Sequence, residues 1–169
     1  MNRAAMVQHY NGTGWTEVPT PVTTAGLLSA VTAVSASNIW VVGSQPVPTG
    51  IGRLGLAMHY NGTSWTASPL PAPTVPVNGE WELSAVSADS ANDVWATGFV
   101  SNADGLVEHA IVEHFNGTSW KVQPAPSLSG NSVLSFDGLV TTGSGRLWSV
   151  GSRNPAGTTV WQTLTARYS

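Results

Sequence analysis

The residues of this chain best equipped for chemistry lie in the segments that interrupt its apolar runs. Pro76-Val-Asn-Gly-Glu-Trp-Glu82 sets Trp81 between Glu80 and Glu82, three residues after the amide of Asn78. An indole stacks on the apolar face of a sugar ring, while neighbouring carboxylates and amides accept hydrogen bonds from its hydroxyls. Trp81, Glu80 and Glu82 therefore form a candidate ligand-binding set, joined by Asn102 and Asp104 in the segment 100–108 and by Asp137. The same carboxylates suggest a second chemistry. Glu80, Glu82, Asp104 or Asp137 could supply the acid and base of a glycosidase or lyase, which needs two carboxyl groups about 5 to 9.5 Å apart. No residue falls in a spacing that singles it out as catalytic.

Other patterns carry less. Gly50-Ile-Gly-Arg-Leu-Gly55 has the letters of a dinucleotide fingerprint, but prolines precede it, a strand pattern follows, and no acidic residue stands about 20 positions on. It reads as a loop. His109-Ala-Ile-Val-Glu-His114 has a β-branched run, so His109 and Glu113 stand about 13 Å apart on one strand face and His114 points the other way. That spacing cannot hold zinc, and no metal or other cofactor is expected. Asp89 and Asp93 flank a turn, which Asp caps readily; the sister segment has Val34 and Asn38 there, which argues against calcium. Asn11, Asn61 and Asn116 head Asn-Gly-Thr sequons, but the same Asn-Gly is what a tight turn requires.

What positions these residues is a repeat about 53 residues long. Leu28-Ser-Ala-Val-Thr-Ala-Val-Ser-Ala-Ser-Asn-Ile-Trp-Val-Val-Gly43 returns as Leu83-Ser-Ala-Val-Ser-Ala-Asp-Ser-Ala-Asn-Asp-Val-Trp-Ala-Thr-Gly98, and more loosely over 136–151, which ends Leu-Trp-Ser-Val-Gly151. A second phrase reads His9-Tyr-Asn-Gly-Thr-Gly-Trp15, His59-Tyr-Asn-Gly-Thr-Ser-Trp65 and His114-Phe-Asn-Gly-Thr-Ser-Trp120. Each unit resolves into four short strands: a small alternating one, one centred on a Trp, one ending in the His phrase, and one starting at its Trp and stopped by prolines. Proline lacks a ladder donor, so that last strand belongs at an edge. Asn-Gly predicts a type I′ hairpin with positive φ at Gly12, Gly62 and Gly117. Trp40, Trp95 and Trp148 are predicted to be buried at equivalent positions, and His9, His59 and His114 to make structural hydrogen bonds.

The expected fold is all-β: about three four-stranded antiparallel β-propeller blades in a partial ring. Residues 1–21 would be the outer strands of an incomplete blade, 22–73 and 74–127 two blades, and 128–169 a C-terminal incomplete one. Natural rings have at least four blades, so the chain is expected to form a homo-oligomer or to belong to a longer propeller.

The 169 residues suffice for one packed domain. Charged residues make up only 9% and the net charge is −3, which gives no pull on phosphates and makes nucleic acid an unexpected partner. Without cysteine there are no disulfides and no thiolate metal sites. No apolar run reaches the length of a membrane span, and Met1-Asn-Arg-Ala-Ala-Met6 lacks the apolar core of a signal peptide.

At its repeated phrases the chain resembles the blades of bacterial propellers of the kelch and galactose-oxidase-like group, in particular actinobacterial-type proteins repeating Leu-x-x-Val-x-Ala-x-Ser-x-Asn-Asp-Val-Trp-x-x-Gly. The resemblance spans nearly the whole chain and implies the propeller fold and an extracellular bacterial setting. It carries over no copper site, because the crosslinked cysteine of galactose oxidase has no counterpart here. The expected function is a non-catalytic binding or scaffolding module with a glycan or cell-surface protein as ligand. A glycosidase or lyase, and a structural array that completes a ring by oligomerising, are the alternatives.

Overall fold

The computed structural model describes residues 5–22, 25–49, 51–75, 79–102, 108–125, 131–143, 145–155 and 157–168. Every regular element among them is a strand. In chain order these are β1 (Val7–Tyr10), β2 (Trp15–Val18), β3 (Leu27–Ser35), β4 (Asn38–Pro46), β5 (Arg53–Tyr60), β6 (Trp65–Ala67), β7 (Glu80–Ser90), β8 (Asp93–Ser101), β9 (Glu108–Phe115), β10 (Trp120–Gln123), β11 (Asn131–Thr141), β12 (Leu147–Pro155) and β13 (Gln162–Tyr168). Strands adjacent in sequence pair antiparallel within each sheet. They form a hairpin β1–β2, a first four-stranded sheet β3–β6, a second four-stranded sheet β7–β10 and a C-terminal three-stranded sheet β11–β13. The all-β class and the four-stranded antiparallel meanders are as the repeat predicts, with the proline-stopped strands β6 and β10 at sheet edges. The four sheets are separate and open.

The Trp-x-x-Gly phrase has a backbone cause. Each first strand slips register twice against its neighbour; the slips between Leu28 and Ala30, Leu83 and Ala85, and Phe136 and Gly138 make Ser29, Ser84 and Asp137 bulge residues. Gly43, Gly98 and Gly151 pair beside these bulges, with Leu28, Leu83 and Phe136. A Cβ on any of them would overlap the carbonyl of Leu27, Glu82 or Ser135. Gly98→Ala is therefore expected to cost about 1–3 kcal/mol, the usual range for forced overpacking. An unchanged denaturation midpoint would show that the first strand yields without cost.

The Asn-Gly turns differ from the expected type. Gly12, Gly62 and Gly117 do have positive φ, at 98°, 94° and 91°, but the preceding asparagines do not. The last cross-strand pairs, Tyr10 with Trp15, Tyr60 with Trp65 and Phe115 with Trp120, leave four-residue loops instead of two-residue turns. The asparagine side chain explains the wider loop. Asn61 Oδ1 accepts from the backbone N–H groups of Thr63 and Ser64, and Asn11 and Asn116 do the same in their loops.

The two four-stranded sheets and the C-terminal sheet stack through Trp40 and Trp95 of the second strands β4 and β8. Trp40 is stacked on His59 of its own sheet, with centroids 4.4 Å apart, and meets Phe115 and Trp120 of the second sheet at 4.8 and 5.5 Å. Trp95 repeats the arrangement, lying 4.1 Å from His114 and 5.2 Å from Tyr168 of the C-terminal sheet. Trp148 departs from the expectation. It is 44% exposed, because nothing among the described residues packs on its face as Phe115 and Tyr168 do on Trp40 and Trp95. Burial of this residue type depends on a following sheet, and the periodicity alone does not supply one.

Candidate functional site

Pro76-Val-Asn lies outside the described residues, but Glu80, Trp81 and Glu82 open β7, so they belong to a strand and not to a ligand loop. Trp81 is 3% exposed and faces the first sheet, where its ring lies over Gly55; a Cβ at Gly55 would overlap it. The expectation that this indole stacks on a sugar is corrected, because the ring belongs to the buried core between the two four-stranded sheets. Alternation along β7 puts Trp81 and Leu83 into that core, and their burial outweighs the exposure suggested by flanking carboxylates.

Glu82 is bound into the seam between the two four-stranded sheets. It accepts from Ser44 Oγ at 2.7 Å, and Arg53 Nε donates to the same Oγ at 2.8 Å. The Arg53 guanidinium also donates to the carbonyls of Ser44 and Ala25, at 2.9 and 3.1 Å. Ser44 is fully buried, so this chain acts as a clamp. Neither Ser44 nor Arg53 was marked by the sequence; the available signal was that Phe99 and Glu108 hold their places in the next repeat. Glu80 is half-buried on the same strand and Asn102 is half-buried just after β8, while Asp104 lies outside the described residues. Asp137 is the exposed bulge residue of β11, and among the described residues no hydrogen bond or ion pair links it to Glu80 or Glu82. The structure thus gathers Glu80, Trp81 and Glu82 at one seam and leaves Asp137 on another sheet.

Two of the three repeated histidines, His59 and His114, work as hydrogen-bonding posts, whereas His9 is exposed and its ring makes no such bond among the described residues. His59 Nε2 meets Asn38 Oδ1 at 3.0 Å, and burial holds its ring below the ordinary imidazole range. His114 Nε2 meets Asp93 Oδ1 at 2.9 Å, and that oxygen also accepts from Trp95 Nε1 at 2.6 Å. Asp93 is therefore a partner of the Trp–His pair, while Ser90 Oγ accepts from the backbone of the adjacent turn. Among the described residues no cluster of three metal-ligating side chains occurs, and no helix is long and apolar enough to cross a membrane.

A more open feature lies at the other end. Between the β1–β2 hairpin and the first four-stranded sheet is a slot of about 550 Å³. Val7, His9 and Val18 line it on the hairpin side; Leu28, Val31, Ile39, Val41, Tyr60 and Trp65 form the opposite wall. Position by position, that wall matches Leu83, Val86, Val94, Ala96, Phe115 and Trp120 of the second sheet. Those six pack in one cluster with Trp40 and Val42 from the first sheet. Val41 and Trp65 are already buried, with Val7, Val18 and Val22 packed against their cluster, while Val31 is exposed. The slot is thus a partly covered version of a surface that elsewhere in the same molecule is covered by a Trp-bearing second strand.

No protein-family model matches the chain, and no curated protein matches it either.

Proposed function

We propose that this chain is a non-catalytic propeller-type module, about three blades in a partial ring, that serves as a binding scaffold by joining to further blades. The open slot carries this reading, because its wall repeats a surface that packs against another sheet inside the molecule. The use of the carboxylates supports it as well. Glu82 is clamped by Ser44, Asp93 holds a Trp and a His, and Glu113 is sealed from solvent. The similarity of the repeats to bacterial kelch-like blades fits an extracellular setting. With Trp81 in the core, a protein surface suits the module better than a glycan.

The test is turnover of a panel of chromogenic glycosides. Hydrolysis by the chain and by Glu82→Gln is expected to stay at the rate of buffer alone. Turnover by the parent that Glu82→Gln removes would replace the scaffold reading with the enzymatic one.

A further inference from the structure

The two ends of the sheet stack present complementary halves of an interface that the molecule already makes internally. At the C-terminal sheet, Val140, Trp148 and Val150 form an exposed apolar stripe, Val140 standing directly opposite Trp148 in the β11–β12 ladder. At the N-terminal end, half-buried Tyr60 and buried Trp65 stand on one wall of the slot and exposed His9 on the other. The internal examples show what each half accepts. Trp40 lies between His59 and the Phe115–Trp120 pair, and Trp95 between His114 and Tyr168.

We propose that the slot is filled by β12 of a second copy of this chain, with its Trp148 between His9 and the Tyr60–Trp65 pair. The inference rests on the scaffold reading and names its partner. Among the described residues β1 pairs only with β2, which leaves its other edge open to a strand. In the two full sheets, Trp40 stands opposite His59 and Trp95 opposite His114. The same register sets Trp148 opposite His9 and Val150 opposite Val7.

β1 thereby takes the place of β13 on the partner's β12. Three features favour the exchange. Trp148 now faces Arg167 across the ladder, where both full sheets have a histidine. Arg146 and Arg167 also put like charges at the positions that Asp93 and His114 occupy in the second sheet. Finally, Tyr10 and Trp15 form a tilted pair like Phe115 and Trp120, with centroids 5.4 Å apart, yet Trp15 is 68% exposed. Seated beside β12, Tyr10 succeeds Tyr168 on the partner's Trp95, and Trp15 adds the second ring that Trp40 already has.

Val7→Cys combined with Val150→Cys tests this in a chain that has no other thiol. Mild oxidation is expected to link different copies through a disulfide, as a pair or a longer string on non-reducing gels. Sedimentation of the parent should show at least two copies, and Trp148→Ala should return a folded single chain with an intact cooperative melt. A parent that sediments as a single chain, a disulfide closed within one copy, or a Trp148→Ala variant that associates as the parent does would each overturn the proposal. Glycoside turnover plays no part in these readouts, so the scaffold reading and the choice of partner fail separately.

Discussion

Replacing Glu113 with methionine is expected to stabilise the chain by roughly 2–5 kcal/mol at pH 9 and by far less at pH 4. Glu113 is 0% exposed, and neither carboxylate oxygen has a hydrogen-bond partner. It shares a face of β9 with Ile111 and Phe115, which pack with Trp40 in the core between the two four-stranded sheets. A charge there has lost its water and gained nothing in return, so burial pushes the carboxyl up to about 8. The unfolded chain ionises this group near 4.5, while the folded chain keeps the proton until about 8. Between those values the unfolded state binds fewer protons, so stability falls as pH rises and levels off above about 8. Met58 holds the matching place on β5 and is also fully buried, so methionine fits the site's shape. Urea denaturation across this range should give a falling curve for the parent and a flatter one for Glu113→Met. Parallel curves would show that the carboxylate finds a partner in solution.

Trp95→Ala should destabilise by about 3–5 kcal/mol, the range for removing a large buried aromatic. The indole is 4% exposed, stacks on His114, meets Tyr168 and donates to Asp93. Its loss would open a cavity between two sheets and leave Asp93 with one donor fewer. Trp148→Ala is the matched control: in a single copy the exposed ring should contribute well under 1 kcal/mol. Equal losses in the two variants, measured on dilute single chains, would contradict the packing described here.

Repetition made the strands legible. Trp40 and Trp95, the Asn-Gly phrases and the proline stops located the full sheets, because each phrase answers a fixed local requirement: a ring to fill a seam, a positive φ, or an edge without a donor. What was not legible lay where a residue's surroundings come from another sheet. Trp81 looked like a loop aromatic because no sister repeat has a Trp there; its pocket exists only because residue 55 is glycine. Trp148 has the same local sequence context as its sisters, yet it is exposed, since burial is conferred by a neighbour. Glu113 sat in a plain alternating run, and only its alignment with Met58 marked the position as sealed.

The stacking of local meanders also bears on how the molecule opens. Each sheet closes from neighbouring hairpins, so its contacts form over short stretches of chain, a topology that favours rapid folding. The sheets then meet mainly their predecessor and successor, as in a one-dimensional array. Among the described residues, the second four-stranded sheet alone is flanked by a sheet of three or more strands on both faces. Opening should therefore begin at the hairpin and at β13 and move inward, and the amides of β8 should be the last to exchange with solvent.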